Sequence, residues 1–324
     1  MSAISHSGHR LDPGGTMKAV LLINHGGPEM LRYGEAPDPI AGPGEVVVDI
    51  HAASVNAADY KVRLGGGHYS LSRFPHILGR DSSGVVSALG AGVTDFTVGD
   101  AVFGVTDQGI EGAYAEKIAI KAAIIAKKPD RLSHVEAAAL GLTSLTALTA
   151  IEDTAHLKAG QTILIQGGAG GVAGFAVQLC KYLGATVITT ASASNHPYVR
   201  SLGADRVIDY NAQDFTTIGS ICDVVFDTVG GDVRAGCYAV LKPGGKLVWI
   251  APATEGYHSS RTDVETLRPN VIRDRVHLER MLALLDADVV WPPTIVRYSL
   301  ADTAEAHGVS EARHLQGKLV LEVR

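Results

Sequence analysis

The residues best suited to chemistry in this chain are glycines. Residues 166–178 read QGGAGGVAGFAVQ, in which Gly168-x-Gly170-x-x-Ala173 has the spacing of a dinucleotide-binding turn with Ala in the last place. The first glycine permits the turn, and the second lets backbone N–H groups approach a pyrophosphate. The small third residue allows helix and strand to pack closely. A helix starting here would offer its dipole and unbonded N–H groups to phosphate, which makes Gly168, Ala169, Gly170, Gly171 and Val172 the expected grip. The end of the following strand, near Ala191, reads the ribose. An Asp or Glu there would hold two hydroxyls, but residues 154–204 contain neither. The segment ASASNHPYVR supplies Ser192, Ser194, Asn195 and Arg200 instead. These donors suit a 2′-phosphate that a carboxylate would repel, so NADPH is the expected cofactor.

The elements around the loop fit that use. TILIQ (162–166) reads as a strand running straight into the glycines. Val172, Phe175, Ala176, Leu179 and Leu183 then recur at helical spacing until Gly184. ATVITT (185–190) is a second strand, and Pro197 suits the first turn of a short helix closed by Gly203. DRVIDY (205–210), CDVVFDTV (222–229) and KLVWIA (246–251) follow as strands, with Val229 and Ile250 near the ends of the last two. Strand and helix in this rhythm predict a doubly wound parallel sheet, an α/β fold.

Before this region the texture is different. KAVLLIN (18–24), EVVVDIHAASV (45–55), SSGVVSAL (82–89), AVFGV (101–105) and AYAEKIAI (113–120) are short β runs broken by glycine and proline, as in a compact barrel-like β domain. Ser133 and Glu136 form a capping box ahead of an Ala- and Leu-rich helix through Ile151. After about Asn270 come a helix (272–286), a strand (294–300), a helix (302–313) and a last strand (318–323). They are too few for a third domain and are expected to rejoin the first.

Bulk properties narrow the function. A net charge of −6 argues against a phosphate-backbone partner, which needs a basic face. No run reaches the roughly 18 consecutive apolar residues of a membrane helix, and residues 1–16 lack the apolar core of a secretory signal. They read as a flexible leader. Cys180, Cys222 and Cys237 are odd in number and show no CxxC spacing, so buried thiols in a reducing cytoplasm are expected rather than a disulfide framework.

With GRDSSG (79–84), GGAGGV (167–172), SLGADRVIDY (201–210) and GKLVLEV (317–323) in view, the chain resembles the medium-chain dehydrogenase/reductase superfamily from Met17 onward. Within it, the resemblance is to the zinc-free quinone oxidoreductase (zeta-crystallin-like) branch. The resemblance implies a GroES-like β-barrel catalytic domain (17–138 and 271–324), a Rossmann NADPH-binding domain (139–270), a cleft between them and a homodimer. Zinc-dependent relatives carry a Cys where this chain has Asn56 and a His where it has Arg80. An Arg coordinates nothing and no Cys precedes residue 180, so no metal is expected. The family pattern also sets Asn56 and Thr146 beside the nicotinamide, and Tyr210 and Arg313 near the adenosine phosphate. A Tyr usual after the Asn is replaced by Lys61, with Tyr60 just before it.

Without a Lewis acid, a carbonyl must be polarised by hydrogen-bond donors or by its own conjugation. Quinones and α,β-unsaturated carbonyls therefore fit better than simple alcohols. Asn56 is the expected orienting group, with Tyr60, Lys61 and Tyr69 as candidate proton donors. Lys61 and Arg63 suit a solvated β face equally well. The alternatives are an enoyl-thioester reductase and a crystallin-like NADPH-binding protein with a structural or regulatory role.

Overall fold

The computed structural model describes residues 10–66, 69–107 and 109–324, with the side chains of 10–13 left out. The first stretch is mostly β: β1 (Arg10–Leu22), β2 (Leu31–Ile40) and β3 (Glu45–Val55), then helix α1 (Ala57–Leu64). It continues with β4 (His76–Ile77), β5 (Asp81–Leu89), β6 (Ala101–Val105), β7 (Lys117–Lys121) and β8 (Ile125–Lys127). Helix α2 (His134–Leu148) follows, opened by the expected capping box. Ser133 N donates to Glu136 Oε2 at 2.8 Å and Glu136 N to Ser133 Oγ at 3.2 Å. A π-helical turn (Thr149–Ala155) extends α2 until His156 closes it in the left-handed region. Together His134–Ala155 is long and apolar enough to cross a membrane, but 83% of that window is buried in the protein, as in a core helix.

The alternating region is β9 (Thr162–Ile165), α3 (Gly171–Tyr182), β10 (Thr186–Ala191), α4 (His196–Ser201), β11 (Arg206–Asp209), β12 (Cys222–Asp227), α5 (Val233–Ala239), β13 (Leu241–Trp249) and β14 (Glu265–Leu267). The chain ends with α6 (Arg275–Asp286), β15 (Ile295–Ser299), α7 (Thr303–Ala312) and β16 (Lys318–Glu322).

Two compact units result. One holds the described residues up to Leu142 with Arg273–Glu279 and Pro292–Arg324. It contains a three-stranded sheet (β2-β1-β4) and a seven-stranded sheet (β15-β16-β3-β5-β6-β8, with β7 also on β3). β16 runs antiparallel to β3, Leu319 opposite Val55, so the C-terminal strand is built into the N-terminal sheet. The other unit holds Thr143–Ile272 and Arg280–Trp291. Its six strands, in the order β11-β10-β9-β12-β13-β14, are all parallel. This is an α/β fold with a Rossmann-like sheet, its central strands buried because helices cover such sheets.

The structure departs from the sequence expectation in several places. β1 starts at Arg10 and pairs Arg10–Asp12 with Asp38–Ile40, so residues 10–16 are strand rather than leader; residues 1–9 lie outside the described residues. α1 and β14 were not expected. Arg280–Trp291 belongs to the second unit, where Glu152 pairs with Arg280 at 2.8 Å and Trp291 N donates to Gln178 Oε1 at 2.9 Å.

Candidate active site

In the Rossmann-like unit the glycine loop is pinned from below by β10. Gly167 N donates to Thr190 Oγ1 at 3.0 Å and Gly168 N to Thr190 O at 2.9 Å, while Thr190 Oγ1 donates to Gln166 Oε1 at 2.7 Å. Gly167 has φ +73°, which favours glycine. Gly168 is required by contact instead: a Cβ there would lie 2.2 Å from Thr189 Oγ1, itself bonded to Ile165 O at 2.7 Å. Ala173, in the third place, is fully buried against the sheet.

Gly170 is the N-cap of α3 and carries no side-chain cap. Its own Cβ would meet nothing nearer than Gly167 O at 3.5 Å. The loop therefore presents a helix N-terminus with no side-chain cap, and Ala169, Gly171 and Val172 fit a pyrophosphate there; the N–H groups of Gly168 and Gly170 are bonded instead to Thr190 O at 2.9 Å and Gly167 O at 3.0 Å.

At the end of β10 the polar side chains gather. Asn195 Nδ2 donates to Ser192 Oγ at 3.1 Å, Ser192 and Ser194 hydroxyls lie 3.2 Å apart, and Arg200 is exposed on α4. Ala191 pairs with Asp209 on β11, which places the half-exposed Tyr210 at the neighbouring strand end. Asp209 is an acid that the sequence reading left out, and its Oδ1 accepts the N–H of Asn211 at 3.0 Å. Val229 and Ile250 follow the ends of β12 and β13. The turn at Val229 is held by buried Asp227, whose Oδ1 accepts Val229 N and Gly230 N at 3.0 and 2.8 Å. Its Oδ2 takes Arg234 Nε at 2.6 Å. This buried ion pair shapes the turn and was not foreseen. Thr146 is buried on α2 within the same unit.

The other unit carries a buried polar network centred on Asn56. β3 ends at Val55, and Asn56 caps α1, its N–H donating to Asp59 Oδ2 at 2.8 Å. Asn56 Nδ2 donates to Asp81 Oδ2 at 2.6 Å, an oxygen shared with Ser54 Oγ at 2.6 Å. Asp81 Oδ1 takes Leu142 N at 2.6 Å. On the other side Lys318 Nζ donates to Asn56 Oδ1 at 2.7 Å and to Val55 O at 2.9 Å. The amide therefore has one N–H left to give.

Behind it, Asp59 accepts from Tyr114 Oη at 2.7 Å and lies 3.6 Å from Arg80. Burial raises its carboxyl pKa to about 6 against the opposing pull of Arg80. Arg80 pairs with Glu111 at 2.7 Å, and Glu111 with His76 at 3.0 Å. Burial drives the Tyr114 phenol well above its usual range.

The remaining candidates lie along α1. Tyr60 is buried, one helical turn from Asn56, and its hydroxyl accepts Arg313 Nε at 3.2 Å. Lys61 is half-buried; burial and the Arg313 charge lower its pKa. Tyr69 packs partly buried on the β core. The alternative of a solvated β face is overturned for Arg63, which is helical, fully buried and bonded to Gly26 O at 2.8 Å and to Glu311. Arg313 was expected at a phosphate; here its guanidinium is engaged with Tyr60.

Lys318, Asp81 and Asp59 were missed by sequence reasoning. The signals were faint: Asn56-x-x-Asp59 has capping-box spacing, and Asp81 is a charge leading an apolar strand. Among the described residues no group of three or more His, Cys, Asp or Glu side chains is arranged to hold a metal ion.

The architecture has known counterparts. Residues 42–130 match the family described as alcohol dehydrogenase GroES-like domain, and residues 202–321 the family described as zinc-binding dehydrogenase. The chain is 31% identical to the quinone oxidoreductase of Pseudomonas aeruginosa, over 94% of this chain and 99% of that protein. It belongs to the medium-chain dehydrogenase/reductase superfamily, in the quinone oxidoreductase branch. An NADPH-dependent alkenal/one oxidoreductase of Arabidopsis thaliana is 32% identical, over 94% of this chain and 79% of that one. The Escherichia coli quinone oxidoreductase crystallised with NADPH superposes with a TM-score of 0.87 at 28% identity, covering 95% of this chain and all of that one.

Proposed function

We propose that this member of the branch is a metal-free, NADPH-dependent reductase acting on quinones or α,β-unsaturated carbonyls. Family membership supports an oxidoreductase that uses a nicotinamide dinucleotide. The N-terminus of α3, with no side chain capping it, fits its pyrophosphate, and Ser192, Ser194, Asn195, Arg200 and Tyr210 fit the 2′-phosphate that distinguishes NADPH. When bound, the cofactor supplies a hydride.

The observation that carries the reading is the Asn56 amide, held between Asp81 at 2.6 Å and Lys318 at 2.7 Å with one N–H unspent. That N–H holds and polarises the acceptor's oxygen, and conjugation in the acceptor spreads the charge that remains. Tyr60 accepts from Arg313 and keeps its own O–H to donate. Lys61, with its lowered pKa, releases a proton more readily than an exposed lysine. These two are the proposed proton source. The metal-free reading is supported by Arg80, whose guanidinium is committed to Glu111 and Asp59 at a position where zinc chemistry needs a donor atom.

The test is consumption of NADPH by the purified protein with a panel of quinones, alkenals and enoyl thioesters, in parent and Asn56→Ala. Turnover is expected with quinones and enones. Asn56→Ala should lower kcat roughly 10- to 1,000-fold, the scale of losing one oxyanion donor. Unchanged kcat on every acceptor would remove Asn56 from the chemistry.

A further inference from the structure

We infer that Lys318 is a positioning residue that fixes the Asn56 amide as a hydrogen-bond donor toward the acceptor. The inference rests on the reading of Asn56 given above. A carboxamide has two ends, and the chemistry depends on which faces outward. An ammonium group only donates and a carboxylate only accepts. The amide atom 2.7 Å from Lys318 Nζ must therefore be oxygen, and the one 2.6 Å from Asp81 Oδ2 must be nitrogen. The flipped amide would set N–H against N–H and oxygen against oxygen. Both clashes would fall among groups withdrawn from water, where unmatched polar contacts cost most.

The placement follows from the fold. β16 pairs antiparallel with β3, Leu319 opposite Val55, so Lys318 falls beside the residue that follows β3, which is Asn56. The two are 262 residues apart in sequence. Lys318 is only 4% exposed, and both of its hydrogen bonds go to carbonyl oxygens, Val55 O and Asn56 Oδ1. The charges of Asp81 and Asp59 favour the cation, but burying an ammonium still costs its desolvation, and its hydrogen bonds go to neither carboxylate. Besides offsetting those charges, the cation gives what an apolar residue cannot: the orientation of the amide. Burial lowers its pKa while Asp81 and Asp59 raise it; with the amine neutral, the Asp81 carboxylate, which only accepts, still keeps the amide nitrogen on its side.

The experiment is a double-mutant cycle of parent, Asn56→Ala, Lys318→Met and the double variant, with NADPH and an enone. Lys318→Met should lower kcat roughly 10-fold or more, as expected for a misdirected donor, and leave the NADPH dissociation constant unchanged. In the Asn56→Ala background it should add nothing, because it acts through the amide. Lys318→Gln, which keeps an N–H facing Oδ1, should restore most of kcat. Effects that multiply in the double variant, or a Lys318→Met enzyme with parental kcat beside an impaired Asn56→Ala, would overturn the inference while leaving Asn56 in its role. Parental kcat in Asn56→Ala would overturn the reading beneath it.

A measurement on the unsubstituted protein covers the case in which Lys318→Met does not fold. Of the two Asn56 side-chain amide protons, assigned by their loss in Asn56→Ala, the one bonded to Asp81 should be shifted downfield by NMR and exchange slowly with water. Both protons at the shifts of a free carboxamide, exchanging with water at the rate of an exposed one, would mean that the group is not held.

Discussion

His307 offers a quantitative test of the catalytic unit's interior. It lies on α7, fully buried, with neither ring nitrogen hydrogen-bonded among the described residues. Its ring meets the Tyr114 ring edge-on at 5.7 Å. Burial, together with the nearby Arg63 charge, lowers its pKa from 6.5 to about 3. The folded pKa lies below the unfolded one, so as pH falls the unfolded chain takes up the proton first. The stability contribution is intact above pH 6.5 and is lost progressively as pH falls toward 3. Linkage from these two values gives a loss of about 2 kcal/mol between pH 7 and pH 5. A residue with no solvent exposure needs no discount for screening. His307→Phe keeps the aromatic contact and removes the titration. Urea denaturation of both proteins at pH 7 and pH 5 should show the parent losing about 2 kcal/mol more than the variant. The variant should also be more stable at pH 7, because two unsatisfied buried polar atoms are gone. The same pH dependence in both proteins would refute the argument.

Other expectations concern the cofactor and the metal. NADPH should bind more tightly than NADH by about 1–3 kcal/mol in calorimetry, and Ala191→Asp, which sets a carboxylate among Ser192, Ser194 and Asn195, should narrow or invert that preference. Equal affinities in the parent would show that this loop does not read the phosphate. Prolonged chelation should leave both activity and thermal midpoint unchanged; stoichiometric zinc by elemental analysis, with inhibition on its removal, would contradict the metal-free reading.

The Rossmann-like unit was largely legible in the sequence because its determinants are local. A strand, a glycine turn and an amphipathic helix follow one another within residues 162–184, and the structure places them as β9, the loop and α3. β14 escaped because ETL is three residues with no period to read. In the other unit most of the longer strands were legible, but β2, β4 and β8 were not, and neither was the site, since its contacts are long-range. Lys318 reads as a solvated lysine opening a terminal strand until β16 is paired with β3. Arg63 and Glu311 are 248 residues apart, so nothing local marks the buried Arg63 as half of an ion pair. α1 was missed for a different reason. It is short and rich in charge, and Arg63 is buried where a solvated face was equally in view.

The most direct test of the central claim follows the hydride itself. The purified protein is mixed with NADPH carrying deuterium at the transferable position of C4 and with a simple enone, after treatment with a chelator. The account predicts NADPH consumption and a saturated ketone with deuterium on the β-carbon, formed at the same rate with and without the chelator. Binding of NADPH without its oxidation by any enone or quinone, or turnover that requires added zinc, would contradict it.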